Sequence, residues 1–349
     1  MADQRWDQTN ETLGEGLHRL ALPLPGDALK AVNVYVIESN DGLTLIDAGW
    51  DDEGSRQALQ TGLTELGFEL GDVRRVLVTH LHGDHYGQGT YLARTAGSQV
   101  ALGEHERESL TWFIGNPRGT IEERHARLHV AGAEEMLPEL RASEPDLSVD
   151  WDLPARYLRD AEVIEAGDRR LEIVHTPGHT KGHVCFHERE AGWLFSGDHV
   201  LPHITPSIGF EPKPTDHSLA DFLSSLSRVR DLPAARVLPA HGPVFDDLEG
   251  RIDELASHHE VRLEASLEAL TRGAETAYEV ARLLPWTRRE RRFEELNLFN
   301  RMLATLETLA HLELLASQGR ASRTGDDVAR FGAAAKGSSP GSADGRSGP

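Results

Sequence analysis

The sequence predicts a mixed α/β (α+β) fold with a helical C-terminal domain, and three patterns in its 349 residues carry that reading. Up to about Gly103, apolar runs of strand length alternate with amphipathic stretches of helix length. Several of those runs end in a histidine or aspartate beside a glycine or proline. After His241 the apolar spacing turns helical and stays so to about Leu315.

Taken in order, residues 33–37 and 43–46 read as strands, 56–66 as a helix, 73–78 as a strand, 86–95 as a helix and 99–102 as a strand. Residues 104–150 are helical and charged, with Trp112, Phe113 and Ile114 as an apolar cluster. His105, His125 and His129 fall in this segment without ligand spacing and are expected at the surface. Residues 248–270 read as one helix, capped near Asp246 or Asp247 and stopped at Gly273. A second helix over 276–284 ends at Pro285, and a third covers 293–315. Between them, Arg288-Arg289-Glu290-Arg291-Arg292 reads as a solvated charge run. From Ser317 on, Gly, Ser, Ala and Arg dominate, so 317–349 is expected to be a disordered tail.

The chemistry concentrates in His80-Leu81-His82-Gly83-Asp84-His85, directly after the apolar Val76-Leu77-Val78. On an extended segment His80 and His82 point the same way, because side chains alternate with a period of two. The turn that follows lets Asp84 and His85 aim at a second point nearby. Imidazole nitrogen and carboxylate oxygen suit zinc and similar divalent ions. A lone histidine is more often a hydrogen-bonded side chain; three with an aspartate in six residues is a metal-ligand density. Further candidates stand where apolar runs end: Asp47 in Leu45-Ile46-Asp47-Ala48-Gly49, His179 in Thr176-Pro177-Gly178-His179-Thr180, Asp198 in Ser196-Gly197-Asp198-His199, and His241 in Pro239-Ala240-His241-Gly242.

Together and in this order, these motifs resemble the metallo-β-lactamase-fold superfamily over about residues 15–245. The resemblance implies an αββα sandwich with two metal sites. It makes His80, His82 and His179 one triad, Asp84, His85 and His241 the other, and Asp198 the bridge between the ions. Asp47 would orient the site without binding metal. His183 fits a hydrogen-bonding role near strand ends, and His203 is a candidate substrate contact. Cysteine-using zinc β-lactamases carry Cys at the position of Asp198 and lack a histidine at that of His85, and the other two-zinc class lacks the bridging aspartate. The full set here is closer to glyoxalase II, ribonuclease Z and related thioester and lactone hydrolases. Lys181 stands where relatives often carry proline. The three C-terminal helices resemble the winged-helix appendage of the β-lactamase-like protein 2 branch.

What the resemblance implies is a binuclear hydrolase with two zinc ions, iron or manganese being the other candidates. A hydroxide bridging the ions would attack an acyl bond, a thioester or lactone, with Asp84 as the catalytic carboxylate. A metal-dependent endoribonuclease or phosphodiesterase and an iron-dependent persulfide dioxygenase are the alternatives. Residues 104–150 occupy the position of a substrate lid, with Trp112 and Phe113 as candidate substrate contacts. The expected domains are thus 15–245 catalytic, 246–316 winged-helix-like and 317–349 tail.

Composition bounds the partners. Thirty-six basic against fifty-seven acidic residues leave a formal charge of −21, which repels phosphate backbones and membranes alike. A small acyl substrate is therefore expected, rather than nucleic acid or membrane; oligomeric state is left open. Apolar runs stay well short of the roughly 18 residues of a membrane span. Cys185 is the single cysteine, and with a polar acidic N-terminus this points to the cytoplasm. No Gly-x-Ser-x-Gly elbow supplies a serine nucleophile.

Overall fold

The computed structural model describes residues 9–24, 29–116, 119–143, 150–211, 213–215, 217–287 and 289–334. Two sheets form its centre. The first has seven strands: β1 (Glu11–Gly14), β2 (Leu17–Pro23), β3 (Ala31–Ser39), β4 (Gly42–Ile46), β5 (Val73–Val78), β6 (Gln99–Gly103) and β7 (Arg156–Leu158), paired in chain order. The second has five: β8 (Val163–Ala166), β9 (Arg169–His175), β10 (Val184–Glu188), β11 (Trp193–Gly197) and β12 (Arg236–Pro239).

Alternation along the strands explains why both sheets are buried on two faces. In β3, Tyr35 and Ile37 join a cluster with Phe186, Phe195 and Leu238 of the second sheet, whereas Val32, Val34 and Val36 face the other way. That outer face is covered by α1 (Glu53–Glu65) and α2 (Gly83–Ala96) through Leu59, Leu63 and Leu92. In β10, Val184 and Phe186 face the first sheet, while Cys185 faces Leu219, Phe222 and Leu226 on a helix over Ser218–Arg230. The layers are therefore helix, sheet, sheet, helix, and strands buried on both faces read as continuous apolar runs.

The segment between β6 and β7 forms three helices, α3 (Arg107–Gly115), α4 (Gly119–Val130) and α5 (Leu137–Ser143). Its apolar side does not stand alone over the site. Leu128, Ala133, Met136 and Leu140 pack with Tyr278, Ala281, Phe293 and Met302 of the C-terminal helices. The Tyr278 amide donates to the Ala131 carbonyl at 2.9 Å. Of the histidines expected at its surface, His105 is exposed and stacks on His175 at 4.4 Å, and His129 pairs with Asp327 and Glu134. His125 departs from the expectation and is 9% exposed, because α4 turns that face inward.

Counting the Ser218–Arg230 helix as α6, the C-terminal unit consists of α7 (Leu248–Thr271), α8 (Ala277–Leu283) and α9 (Leu298–Ser317). Asp247 and Thr276 cap α7 and α8 with their side chains. The expected single helix over 293–315 is divided. Residues Phe293–Glu295 make one tight turn, and α9 begins after Asn297, whose side chain accepts from the Asn300 amide. Residues 289–292 of the charge run are exposed.

The expected tail is corrected over its first half. Residues Ala321–Thr324 (β13) and Arg330–Ala333 (β14) pair as an antiparallel hairpin after α9. Ala321, Ala329 and Phe331 are buried in the cluster that includes Leu263, Leu312 and Leu315. The Phe331 amide donates to the Glu275 carbonyl at 2.7 Å, and the Ala329 amide to Val130 at 2.9 Å. Three small or aromatic side chains placed on an existing apolar face suffice where composition alone reads as disorder. Residues 335–349 of that tail lie outside the described residues.

Candidate metal centre

Five strand ends carry the candidate residues to one edge of the sandwich. Asp47 follows β4, His80 follows β5 by one turn residue, His179 lies beyond β9, Asp198 follows β11 and His241 lies just beyond β12. His82 is the residue preceding α2, with Asp84 and His85 in the helix's first turn. Two backbone features hold the edge in shape. Asp47 adopts the left-handed region at φ 61°, a strained conformation for a non-glycine residue. Gly197 does the same at φ 52°, where a Cβ would meet His183 Nε2 at 2.6 Å and Thr79 Cβ at 2.8 Å.

The seven sequence-predicted ligands converge in two groups, one of His80, His82, His179 and Asp198, the other of Asp84, His85 and His241. In the first, His82 Nδ1 lies 3.0 Å from His80 Nε2 and 3.1 Å from His179 Nε2. Asp198 touches both groups: Oδ2 is 3.5 Å from His179 Nε2, while Oδ1 is 3.6 Å from His85 Nε2 and 3.4 Å from His241 Nε2. Asp84 Oδ2 lies 3.5 Å from His85 Nε2 and 3.3 Å from His241 Nε2.

Which nitrogens face inward is set from outside. His179 Nδ1 donates to the Ser207 carbonyl at 2.7 Å, and His241 Nδ1 to the Ala31 carbonyl at 2.9 Å. A carbonyl only accepts, so each Nδ1 carries the proton and, on the neutral ring, Nε2 keeps its lone pair. His85 Nδ1 bonds Asp47 Oδ2 at 2.8 Å, and Asp47 in turn accepts from the Thr79 amide at 2.8 Å. Asp47 is thereby placed behind a ligand and in neither ligand group. His85 Nε2, His241 Nε2 and Asp198 Oδ1 are buried with no hydrogen-bond partner. Converging lone pairs at 3.0–3.1 Å match the edge of about 3.3 Å that a tetrahedral ion with 2.0–2.1 Å bonds requires. The residues fit divalent metal.

Protonation separates the groups. Burial, reinforced by neighbouring imidazoles, pushes His82 down to about 3 and His80 well below its usual range. Burial also pushes His179 down to about 4. Burial opposes charge on His85 too, yet Asp84, Asp47 and Asp198 together raise it well above normal. His241 is raised in the same way by Asp198 and Asp84 against burial. Both rings sit among carboxylates that require positive charge, which an ion or a proton can supply.

The remaining sequence candidates fall outside the ligand groups. His183 accepts from the Asp198 amide at 3.2 Å and bonds Thr176 Oγ1 at 2.8 Å. His203 is half-buried in the loop after Asp198. Phe113 is buried and stacks on Trp151 at 5.0 Å, so it anchors α3. Trp112 is half-buried, with Lys213 Nζ 5.2 Å from its ring.

Sequence reasoning missed three residues. Glu106, fully buried, takes the Leu81 amide and the Thr180 hydroxyl on one oxygen, joining the loops of His80 and His179. Glu211 accepts from Ser109 at 2.7 Å and from the Lys181 amide at 2.9 Å, a donor that proline would lack. The Phe210 ring lies 5.8 Å from that of His82. None follows a spacing rule; lone acidic and aromatic residues in loops carry no periodic signal.

The chain is similar to known proteins of the same fold. A solved metallo-beta-lactamase family protein from Thermus thermophilus is 33% identical, with a TM-score of 0.78 over 92% of this chain and 100% of its own. The probable metallo-hydrolase YqjP of Bacillus subtilis is 24% identical over 87% of this chain and 93% of its length. The lactamase-like protein adaB of Aspergillus niger is 27% identical over 70% of this chain, which spans 60% of that protein's length. An atrochrysone carboxyl ACP thioesterase from Cryptosporiopsis sp. is 24% identical over 64% of this chain and 53% of its own. With residues 28–241 matched by the metallo-beta-lactamase superfamily and seven ligand-type side chains gathered at the strand ends, the chain belongs to that superfamily.

Proposed function

We propose that this site is a two-metal hydrolase centre for an acyl bond, a thioester or lactone of a small molecule, with zinc in both ligand groups. Ions held there would lower the pKa of bound water and polarise the substrate's acyl oxygen. Asp84 is the catalytic carboxylate. Burial would raise its pKa, but His85 and His241 hold it well below the usual range, so it is ionised at neutral pH and is the group to take up the attacking water's proton. His80 and His179 are buried while His82 and Asp84 are half-buried, so the substrate reaches the site on the latter side. Cys185 takes no part as a nucleophile, because burial pushes its thiol up to about 12.

The observation that carries the acyl reading is an aromatic flank on that open side, with the Arg124 guanidinium 4.9 Å from the Phe210 ring. Phe210 faces His82, and Phe299 of α9, 47% exposed, continues it at 5.7 Å from Phe210. An acyl chain would lie against these rings, in place of the Trp112 and Phe113 pair expected from sequence. The thioesterase relative supports the same bond type. Among the described residues no helix is long and apolar enough to cross a membrane, and a reducing cytoplasm is the proposed compartment.

Parallel assays of acyl-thioesters, lactones and a short RNA at two ionic strengths test this reading. Turnover of an acyl substrate by zinc-loaded protein is expected; RNA cleavage without acyl turnover would overturn it. Phe299→Ala is expected to raise KM for long acyl chains by roughly tenfold or more and leave short ones unchanged, since burying one aromatic contributes about 1.5–3 kcal/mol.

A further inference from the structure

A second cluster of ligand-type side chains lies between α7 and α9, outside the hydrolase centre. One ligand atom from each of His258, His259 and Glu307 lies within 4.8 Å of the other two. The Phe222 ring stands between this cluster and the centre: it packs on His259 at 5.5 Å and on His199 at 5.2 Å.

The hydrogen bonds behind His259 determine which of its nitrogens is available. His311 Nδ1 lies 2.7 Å from the Glu307 carbonyl oxygen, which only accepts, so the proton sits on Nδ1. His311 Nε2 then carries a lone pair and lies 3.1 Å from His259 Nδ1, which must be the donor. His259 Nε2 is left with its own lone pair, and it is buried with no hydrogen-bond partner. A buried imidazole fixed in one tautomer by a backbone-anchored partner is how proteins prepare a metal-ligating histidine. Burial keeps His259 and His311 neutral, His311 down to about 3, and pushes Glu307 up to about 7.

We propose that His258, His259 and Glu307 form a third metal site, for a divalent transition ion of the zinc class, clamping α7 to α9. Two nitrogens and one oxygen are a donor set such ions accept, with water completing the coordination. The ligand atoms, all within 4.8 Å of one another, would have to close to about 3.3 Å, a movement that falls to the side chains of the exposed His258 and half-buried Glu307. Arg262 and, toward His258, Arg251 are the opposing charges described beside the cluster; the Arg251 guanidinium is held by the Leu201 and Ile204 carbonyls and by Glu254. The Arg262 guanidinium is held by the Pro285 carbonyl at 2.8 Å and lies over the Trp286 ring at 4.0 Å, while the Glu307 carboxylate offsets it. None of the three ligands belongs to the hydrolase machinery.

The test counts zinc per chain in full-length protein stripped with a chelator, reloaded with zinc and freed of excess. Wild type is expected to hold one equivalent more than His258→Ala and one more than Glu307→Gln, and both variants to keep wild-type acyl hydrolysis. Zinc should raise the melting temperature of wild type more than that of either variant. Because only the difference is read, the result holds whichever ions occupy the hydrolase centre. Equal zinc in all three proteins overturns the proposal, as does loss of more than one equivalent, which would place these residues in the first centre's assembly.

Discussion

The two ligand groups share Asp198 and a strand edge, yet they hold protons differently. His80, His82 and His179 meet mainly one another, and burial keeps all three neutral well below pH 6. His85 and His241 lie as deep as His80 and His179 but face Asp84, Asp198 and, for His85, Asp47. The same side chain at the same depth is thus a ready lone pair in one group and a proton holder in the other. What differs is the number of carboxylates within about 4 Å, where Coulomb attraction outweighs desolvation.

The largest effect should come from removing a ligand. His82→Ala and Asp84→Asn are each expected to abolish turnover, whereas His105→Ala, an exposed residue stacked on His175, leaves it unchanged. Retained activity in Asp84→Asn would sink the carboxylate's proposed role. Asp47→Ala should be next, lowering metal affinity or activity by about 10–100-fold, with the loss concentrated in the group containing His85. An equal loss from both groups would break the comparison.

Acidification sharpens it. A raised pKa means that protons compete with metal at higher pH, so as pH falls the ion beside His85 and His241 should leave first. The ion held by His80, His82 and His179 should follow only at lower pH, since two of those rings sit at about 3 and about 4. Metal content measured across a pH series should fall in two steps; a single step would count against the assignment. Gly197→Ala should disturb both groups through Asp198, since the left-handed backbone costs about 1–2 kcal/mol for a residue with a Cβ. Its melting temperature should drop beyond that cost because the Cβ meets His183 and Thr79.

A further effect concerns Glu106, which ties the loops of the first group together. Burial and then Glu211 push its carboxyl up from 4.5 to about 8. A raised folded-state pKa gives stability that is complete below about pH 4.5 and lost as pH rises through about 8. Glu106→Gln lacks this loss, so its melting temperature relative to wild type should rise between pH 5 and pH 9. A constant difference would mean the carboxyl is not buried as described.

The candidate ligands were legible because metal chemistry restricts residue type and spacing. His80, His82, Asp84 and His85 stand within six residues, and each distant ligand follows a strand that its apolar run announces. Core helices were also legible where a cap and a stop bracketed them, as with Asp247 and Gly273 around α7. The hairpin after Ser317 was not, because Ala321, Ala329 and Phe331 gain their burial from α7 and α9 and carry no pattern of their own. The third helix was misjudged for a related reason: apolar periodicity runs from 293 to 315, and only Asn297's cap shows where α9 begins.

Sequence by itself determined the donor set, its order along the chain and the strands that deliver it, since these depend on residue type and local periodicity. Tertiary structure alone decided which nitrogen of each histidine faces inward, which group holds protons, and that Glu106, Phe210 and the His259–His311 pair matter at all. Those outcomes depend on what lies across the fold: the Ser207 and Ala31 carbonyls behind two ligands, the Asp47 carboxylate behind a third, and a helix packed against its neighbour. A protonation state is set by the distances to every nearby charge and dipole, and those distances exist only once the chain has folded.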